Sequence, residues 1–399
     1  MRWHVVLLFV AACSDPDPGA GDPCIAANTC PPGEWVRAEL PDFTAPYIVQ
    51  SVVVDPVRPS DFYAFAGSNG GSTMKIYAST DFGNTWTDVN TTVELMGNPW
   101  GASIDPNRSR DPDTTPTLWT PAGYGAFGAW KSIDGGVTWQ RATGADDAFR
   151  DVNPHGPTDL YHVAILPDDP PRHLLATYHY AFKDVADGGF GESTDGGETW
   201  TVHMPPAGIG TSHYVIPIRE TTWAVIAQDN NGDNGIWRTT TAGRTNGTVA
   251  TSAWTKVDDL EHAHGSHQNV VLRDGTILVT GNTNGARSTD HGATWTHFTE
   301  SSSWSPPNQF MSSQMTNIAV TDRFIYTNFM ANTVMARAPL DNPVGAMQWD
   351  IAYCDKPSGL TAGGAPFGMA SSYDARNGTW VIVAGSYADG IWKYIEPTP

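Results

Sequence analysis

The sequence predicts an all-β fold, a seven-bladed β-propeller of four-stranded antiparallel blades that is closed by the N-terminal strand joining the last blade. Three observations carry this prediction. A Ser-x-Asp-x-Gly-x-Thr-Trp motif recurs, with small variations, four times. Seven short apolar segments follow one another along the chain, each suited to an innermost strand. The composition, with 16 Trp, 40 Gly and 30 Pro but only 16% charged residues, suits short strands joined by many turns.

The motif copies define the repeat. Their tryptophans stand at residues 86, 139, 200 and 295, and degenerate copies end at Trp254 and Trp349. Such a period is typical of architectures in which each repeat buries its faces against its neighbours. Each unit reads as four strands: an apolar first strand, a second that opens into glycine, a third that leads into the motif, and a fourth that begins at the tryptophan. The seven first strands are IVQSVVVDP, WGASIDP, YHVAILPDD, HYVIPIRE, NVVLRDG, TNIAVTD and GMASSYD.

The last unit supplies the closure. Its third strand, GIWKYIE, is followed by no fourth strand, whereas GEWVRAEL, from Gly33 to Leu40, has the Trp-first pattern of a fourth strand. If this segment completes the last blade, the ring has no exposed edge. We therefore expect Trp35 to lie near Trp392, in a propeller that spans residues 34–396.

The first residues, MRWHVVLLFVAAC, read as a signal peptide over residues 1–12. The VAAC ending resembles a bacterial lipobox, which implies cleavage before Cys13 and lipid attachment there. An ordinary signal peptide that is cut elsewhere is the alternative. Residues 13–33, rich in Pro, Gly and Asp, read as a tether. The prediction is an exported lipoprotein of the bacterial cell envelope that touches the membrane only through its lipid.

The net charge disfavours some classes of partner. With 22 basic and 42 acidic residues the formal net charge is −20, which disfavours nucleic acid and anionic membrane surfaces as partners.

In an oxidising compartment Cys24 and Cys30 could close a small loop, which leaves Cys354 over. The cysteine spacing gives no zinc-site pattern.

The motif has a mechanical explanation. Its Asp and Ser side chains can bond backbone donors across a turn, its Gly tolerates a positive φ, and its Trp carries apolar surface between blades. The spacing resembles the Asp-box, and residues 34–396 resemble the Asp-box (BNR-repeat) β-propellers of sialidases, xyloglucan-active glycosidases and sortilin-like receptors. That resemblance implies a peripheral position for the motif, away from ligand. It therefore favours turn formation over catalysis for four aspartates: Asp81, Asp134, Asp195 and Asp290.

Ligand sites of propellers concentrate on one face, where the loops that enter the first strands and those between second and third strands surround the channel. Three histidines fall at the start of consecutive first strands: His162, His213 and His267. They could supply a general base or bind a divalent metal, with Tyr180 as a proton donor. The alternative is that they are satisfied hydrogen-bonders, as Gln50, Gln268 and Gln314 near equivalent positions suggest. The sequence does not call for a cofactor.

Other residues of the same loops are candidate ligand contacts: Trp100, Tyr124, Tyr161, His179, Arg150, Asp229 and Asn282. Four acidic residues there could form a carboxylate pair for glycoside hydrolysis, or could simply be solvated: Asp146, Asp147, Asp151 and Glu261.

The family comparison limits the activity. Sialidases use three arginines, a Tyr-Glu nucleophile pair, an Asp acid/base and an early Phe/Tyr-Arg-Ile-Pro segment; that segment and the arginine triad are not found, so sialidase activity is not expected. Xyloglucan-active relatives use two aspartates in a cleft between two propellers, and only one propeller is predicted here. The sequence therefore predicts a propeller that engages a glycan or an extracellular protein at the channel mouth, either as a glycoside hydrolase-like enzyme, or a lyase using His and Tyr, or as a non-catalytic receptor or assembly scaffold.

Overall fold

The computed structural model describes residues 21–44, 46–68, 71–107, 109–111, 113–123, 128–150, 160–166, 173–178, 190–203, 211–228, 234–242, 253–261, 269–281, 285–298, 315–329, 334–342, 347, 349, 368–386 and 390–398. Within them the chain forms seven antiparallel sheets, and the predicted seven-bladed β-propeller is confirmed. Helix, within the same described ranges, is confined to two short elements.

The elements follow in chain order. The N-terminal segment and the first two blades contain α1 (Pro23–Ala27), β1 (Trp35–Ala38), β2 (Ile48–Val54), β3 (Phe62–Gly67), β4 (Lys75–Ser79), β5 (Thr87–Asp88), β6 (Ser103–Ile104), β7 (Leu118–Pro121), β8 (Ala129–Ser132) and β9 (Gln140–Arg141). The third and fourth blades contain α2 (Thr143–Arg150), β10 (Leu160–Ile165), β11 (Leu174–Tyr178), β12 (Phe190–Ser193), β13 (Thr201–His203), β14 (Thr211–Arg219), β15 (Thr222–Gln228), β16 (Gly235–Thr239) and β17 (Thr255–Asp258). The last three blades contain β18 (Asn269–Val271), β19 (Ile277–Thr280), β20 (Gly285–Ser288), β21 (Thr296–His297), β22 (Met315–Val320), β23 (Phe324–Phe329), β24 (Val334–Pro339), β25 (Met369–Asp374), β26 (Thr379–Gly385) and β27 (Ile391–Ile395).

Blades 1 to 6 are meanders whose strands pair in sequence order from the channel outward. Blades 1 to 5 are four-stranded, from β2-β3-β4-β5 to β18-β19-β20-β21. Blade 6 has three strands, β22-β23-β24, in the part of the chain that the structure describes. Nearby, Trp349 is buried and packs edge-to-face on Phe298 of blade 5, at a ring-centroid distance of 6.1 Å.

The seventh blade closes the ring as predicted. Its order is β1-β27-β26-β25, so the first strand of the chain is the outer neighbour of the last. In the antiparallel register Trp35 lies opposite Tyr394, and Arg37 lies opposite Trp392. The outward-facing backbone groups of β27 are thereby paired, as those of the third strands in blades 1 to 5 are by the fourth strands of the same blades.

Residues 21–33, the described part of the predicted tether, lie against the propeller. A disulfide joins Cys24 to Cys30, a pairing that the sequence allowed but left open, and Ile25 of α1 is buried in the core between blades 7 and 1. The carboxylate of Asp22 accepts a hydrogen bond from the Arg37 N–H at 2.7 Å, and the Gly33 N–H donates to the Ile395 carbonyl at 2.9 Å. Residues 1–20, with the predicted signal peptide and Cys13, lie outside the described residues. None of the described helices has the length and apolar character needed to cross a bilayer.

The repeated motif forms the turn between third and fourth strands. In blade 1 the Asp81 carboxylate accepts hydrogen bonds from the Ser79 hydroxyl, the Thr85 N–H and the Thr85 hydroxyl, at 2.7 to 2.9 Å. The Ser79 hydroxyl oxygen accepts from the Gly83 N–H at 2.9 Å, and the Trp86 indole N–H donates to the Gly83 carbonyl at 3.1 Å. Gly83 has a φ of 76°, where a Cβ would be strained. The motif is thus a self-contained hydrogen-bonded turn.

The other three motifs repeat these bonds around Asp134, Asp195 and Asp290. Burial raises the pKa of these carboxyls, but the hydrogen bonds from Thr and Ser hydroxyls and from backbone N–H groups outweigh it. The net pKa lies below the ordinary value, and for Asp290 it falls to about 2. These contacts are those of turn formation, the role predicted for the motif aspartates.

Motif tryptophans pack on the preceding blade. Trp139 of blade 2 meets Phe65 of blade 1 edge-to-face at 6.0 Å, and Trp200 of blade 3 meets Trp119 of blade 2 at 6.5 Å. Offset edge-to-face contacts of this kind add to the energy of burial. The same side chains therefore end each repeat in the sequence and join the repeats in space.

Basic side chains from third strands add polar links between blades. Three of these residues directly precede the last residue of the third strand, and each donates to a carbonyl oxygen of the next blade. The pairs are Lys131 with Gly196, Arg238 with His291, and Arg287 with Leu340, at 2.9 to 3.1 Å.

Candidate functional site

The candidate ligand face is the end of the propeller opposite the motif turns. The structure describes part of it. Several predicted site residues lie outside the described residues: Tyr124, His179, Tyr180, Asp229, His267 and Asn282. Arg150 is the last residue of α2 and His213 lies in β14, and their side chains are also outside the description. The site is built below from the residues that remain.

Four innermost strands have a register irregularity at the end nearest this face, and in three of them it leaves a single residue out of the ladder. The pairing register shifts between Val49 and Ser51 in blade 1, between Leu160 and His162 in blade 3, and between Ser212 and Tyr214 in blade 4. The residues at the shifts are Gln50, Tyr161 and His213. Because a bulge redirects one side chain, such positions are common beside binding sites. In this register His213 corresponds to Tyr161 rather than to His162.

His162 lines the channel and is buried, with 6% of its surface exposed. It lies beside Gly101, with which it forms a parallel β-bridge; a Cβ on that glycine would come within 2.5 Å of the imidazole Cδ2. Burial lowers the pKa of His162 to about 3. The imidazole is therefore neutral at physiological pH and is a weak base there.

Trp100 and Tyr161 form an aromatic pair at the channel mouth. Their rings stack at a centroid distance of 5.6 Å with an interplanar angle of 15°. Tyr161 is fully buried, whereas Trp100 keeps part of its surface exposed. Of these two candidate ligand contacts, Trp100 has a surface that a ligand can reach, and the buried Tyr161 ring supports it.

A buried amide pair holds the connection between blades 1 and 2 beside them. The side-chain amide of Gln50 donates to the side-chain oxygen Oδ1 of Asn98 at 2.9 Å, and both residues are at most 1% exposed. The backbone of Asn98 exchanges two hydrogen bonds of 3.0 Å with Gly123. The side chain and the backbone of Asn98 therefore both anchor the segment that carries Trp100. The sequence singled out Trp100 as a candidate ligand contact but gave no role to Asn98.

Two of the described acidic residues on this face are held by a neighbour. Asp146, on α2, is buried and forms an ion pair with the Arg141 side chain at 2.6 Å. Glu261 accepts a hydrogen bond from the Asn234 side-chain amide at 2.8 Å. Asp147 is exposed, and Asp151 lies outside the described residues. A carboxylate pair drawn from Asp146, Asp147, Asp151 and Glu261 stays a prediction.

The central channel is a cavity of about 370 Å³ lined by the innermost strands of six blades. Its polar side chains include hydroxyls that bond adjacent blades: Ser103 donates to the Val163 carbonyl at 2.5 Å and Ser371 to the Val320 carbonyl at 2.6 Å. No group of three or more His, Cys, Asp or Glu side chains in the described ranges is arranged to hold a metal ion.

A second polar cluster is buried inside blade 3. The Glu192 carboxylate is bonded to His173 Nε2 at 2.5 Å and to His203 Nε2 at 2.6 Å, and all three side chains are at most 5% exposed. Burial raises the pKa of Glu192, but the hydrogen bonds and charges of the two histidines outweigh it and lower the pKa to about 2. Sequence reasoning missed this cluster because its members have no characteristic spacing.

Comparison with known sequences finds xyloglucanases, and no family model matches the chain. Xyloglucanase Xgh74A of Acetivibrio thermocellus is 25% identical over 284 residues, which cover 64% of this chain and 32% of that enzyme. A xyloglucanase of Paenibacillus sp is 27% identical over 282 residues, which cover 63% of this chain and 26% of that enzyme. The matched regions thus make up about a third or less of the relatives' length.

Solved structures share the fold at low identity. The chain matches YCF48 from Cyanidioschyzon merolae with a TM-score of 0.54 and 13% identity, covering 91% of this chain and 98% of that one. An ancestral GH74 enzyme gives 0.53 and 14%, covering 88% and 48%. Kuenenia stuttgartiensis hydrazine synthase gives 0.57 and 8%, covering 90% and 98%. Together the sequence and structure comparisons support a β-propeller with a glycosidase-like fold.

Proposed function

We propose that the chain is a glycoside hydrolase-like propeller that binds a β-glucan of the xyloglucan class across the mouth of its channel. The observation that carries the proposal is the 25 to 27% identity to xyloglucanases over 63 to 64% of the chain. The partly exposed Trp100, supported by Tyr161 and by the segment that Asn98 anchors, provides an aromatic surface for a sugar ring. Polysaccharide, rather than nucleic acid or an anionic surface, also suits a chain of net charge −20.

A non-catalytic glycan receptor is the second candidate. It is favoured by the state of the described ionisable groups on this face. His162 is held neutral by burial, and Asp146 is held in an ion pair. Neither is free to exchange a proton with a ligand without a rearrangement. Under this alternative the protein binds the polysaccharide and releases it unchanged.

Export and lipid anchoring belong to the same proposal. They are supported by the signal-peptide pattern of residues 1–12 and by the VAAC ending at Cys13. In a bacterial expression host, the wild-type chain is expected in the membrane fraction, and the Cys13→Ser chain is expected to leave it. Equal membrane association of the two chains would contradict the anchor.

Affinity electrophoresis in gels that contain xyloglucan tests the ligand. The wild-type protein is expected to be retarded, Trp100→Ala to lose most of the retardation, and Trp100→Phe, which keeps an aromatic ring, to retain it. Ile133→Ala is a matched control, because Ile133 is 68% exposed on a motif turn at the opposite end. Melting temperatures establish that each variant is folded. Wild-type mobility that xyloglucan does not change would overturn the proposal.

Hydrolysis is measured separately, as reducing ends released from xyloglucan over time. Release by the wild-type protein, and its loss in Trp100→Ala, supports the enzyme. Retardation without release supports the receptor. The two measurements therefore separate binding from turnover in one set of proteins.

A further inference from the structure

The ring closure leaves a cleft on the face that carries the motif turns. In blades 1 to 3 and 5 the motif turn joins the third strand to the fourth. In blade 7 the third strand, β27, and the fourth, β1, come from opposite parts of the chain, so no such turn joins them. The cleft at this position has a volume of about 770 Å³, within the range of small-ligand sites. We call it the closure cleft; its lining includes Asn28, Asp81, Asn84, Tyr373, Asp374 and Lys393.

Lys393 reaches the closure cleft from within the protein. The residue is 3% exposed, and its ammonium group donates to the Asn84 side-chain oxygen at 2.5 Å. An ammonium carries three N–H donors, and Asn84 is the acceptor that the described residues provide. Burial lowers the pKa of Lys393 to about 8, against the opposing charges of Asp81 and Asp374. A ligand that brings acceptor oxygens would relieve this under-bonded buried cation.

The carboxylates of the cleft are already occupied by the protein. Asp81 accepts the bonds of its motif turn, and Asp374 accepts from the Arg376 N–H and from the backbone and side chain of Asn377. Glu396 is fully buried and accepts from three groups of blade 6. The cleft therefore has donors to offer rather than acceptors.

Charge argues against an anionic occupant. Three carboxylates line the cleft, from Asp81, Asp374 and Glu396, against two cations, from Arg376 and Lys393. The local excess is negative, as is the net charge of the whole chain, −20. A ligand with neutral acceptor oxygens meets the spare donors without this repulsion.

The closure cleft also contains an accessible aromatic ring, that of Tyr373. Tyr373, on β25, is 44% exposed at the cleft, and its ring is held against Trp380 at a centroid distance of 5.5 Å. An exposed, supported ring beside hydrogen-bond donors is suited to a flat, partly apolar, hydroxyl-bearing ligand. We propose that the closure cleft binds a neutral oligosaccharide, with a sugar ring against Tyr373 and its hydroxyl oxygens accepting from Lys393. This site is separate from the channel mouth and does not rest on the function proposed for it.

Lysine footprinting tests the proposal. The full chain is treated with an amine-acylating reagent with and without cellotetraose, and modification of each lysine is read by mass spectrometry. Cellotetraose is expected to lower the acylation rate of Lys393 at least about fivefold. The acylation rate of Lys256, a partly exposed lysine on the fourth strand of blade 4, is expected to stay unchanged. An unchanged rate at Lys393 overturns the proposal. Stronger protection by an acidic oligogalacturonide than by cellotetraose also overturns it, because the ligand would then be an anion.

Variants locate the binding. Tyr373→Ala is expected to weaken the cellotetraose-dependent protection about five- to tenfold, whereas Tyr373→Phe, which keeps the ring, is expected to preserve it. Tyr373 is exposed, so both variants should fold, and melting temperatures confirm this. Trp100→Ala, at the channel mouth, should leave protection of Lys393 intact. Loss of protection in Trp100→Ala but not in Tyr373→Ala would overturn the closure cleft in favour of the channel mouth.

Discussion

Trp35, in the first strand, lies opposite Tyr394, in the last, and their rings pack at a centroid distance of 5.2 Å. This contact, with the four-residue ladder around it, makes an open meander into a ring. The protein therefore depends on a few residues near its N-terminus to complete its last blade.

Trp35→Ala is expected to lower the free energy of unfolding by about 2 to 3 kcal/mol, because a half-buried indole is replaced by a methyl group. Urea denaturation followed by tryptophan fluorescence measures the loss. Trp35→Phe, which keeps a ring against Tyr394, should recover more than half of it. A fully stable Trp35→Ala protein would show that the strand closes the ring through its backbone alone.

Glu396→Ala is expected to cost about 3 to 5 kcal/mol. The Glu396 carboxylate is buried and accepts hydrogen bonds from Arg323 Nε, the Thr321 hydroxyl and the Tyr326 hydroxyl, at 2.7 to 2.9 Å. Removing it leaves three polar groups without their acceptor. Arg376→Ala, at an exposed position, is the control and should change stability by less than about 0.5 kcal/mol.

Asp195→Asn tests the role of the motif aspartates. The carboxylate accepts from the Thr199 N–H and hydroxyl and from the Ser193 hydroxyl. The Asn side-chain amide can accept hydrogen bonds only at its oxygen, whereas both carboxylate oxygens of Asp195 accept. We therefore expect a loss of about 1 to 2 kcal/mol in unfolding free energy. Binding and turnover by the folded fraction should equal those of the wild-type protein. Lost turnover at an unchanged melting temperature would instead indicate catalysis by Asp195.

Glu192 predicts a pH dependence of stability. Its folded-state pKa of about 2 lies below its ordinary 4.5, so its contribution is present above pH 4.5 and is lost as the pH falls towards 2. The full contribution is about 3 kcal/mol for a shift of this size. Denaturation of wild-type and Glu192→Gln proteins from pH 6 to pH 2 should show a stability difference that shrinks with acid. A constant difference would show that Glu192 does not titrate between these limits.

Lys393 also predicts that stability rises with pH, but in an alkaline range, because here the charged form of the side chain is the unfavourable one. Its folded-state pKa of about 8 lies below its ordinary 10.5, so the charged buried amine reduces stability below pH 8, and this cost disappears as the pH rises towards 10.5. A shift of this size corresponds to about 3 kcal/mol. Lys393→Met has no such cost, so wild-type stability relative to the variant should rise between pH 8 and 10.5. A pH-independent difference would contradict the lowered pKa.

Much of the fold could be predicted from the sequence because each repeat carries its own local signals. The motif at Asp81 and its three copies fixes a turn, the tryptophans fix the distance between blades, and the Trp-first pattern at Trp35 reveals the closing strand. The α2 helix was not predicted. It is only eight residues long and begins with Thr143 and Gly144, so its local signal is weak.

The candidate site was less predictable, because it depends on register and on contacts between distant residues. His162 and His213 align in the sequence to within one residue, yet a bulge sets them at different positions of their strands. The ion pair of Asp146 and the pairing of Gln50 with Asn98 leave no sequence pattern. The hydrogen bonds that Lys131, Arg238 and Arg287 donate to the next blade do have a sequence pattern. Each of these residues directly precedes the last residue of a third strand.

The pairing of β1 with β27 also orders the events of biosynthesis. A ribosome makes β1 near the start of translation, but its partner emerges only after all the other blades have been synthesised. Until then β1 has no ladder to join, and the newly made blades have a free edge at each end. Completion of the native ring is therefore a late step, which can occur only once β27 has been made.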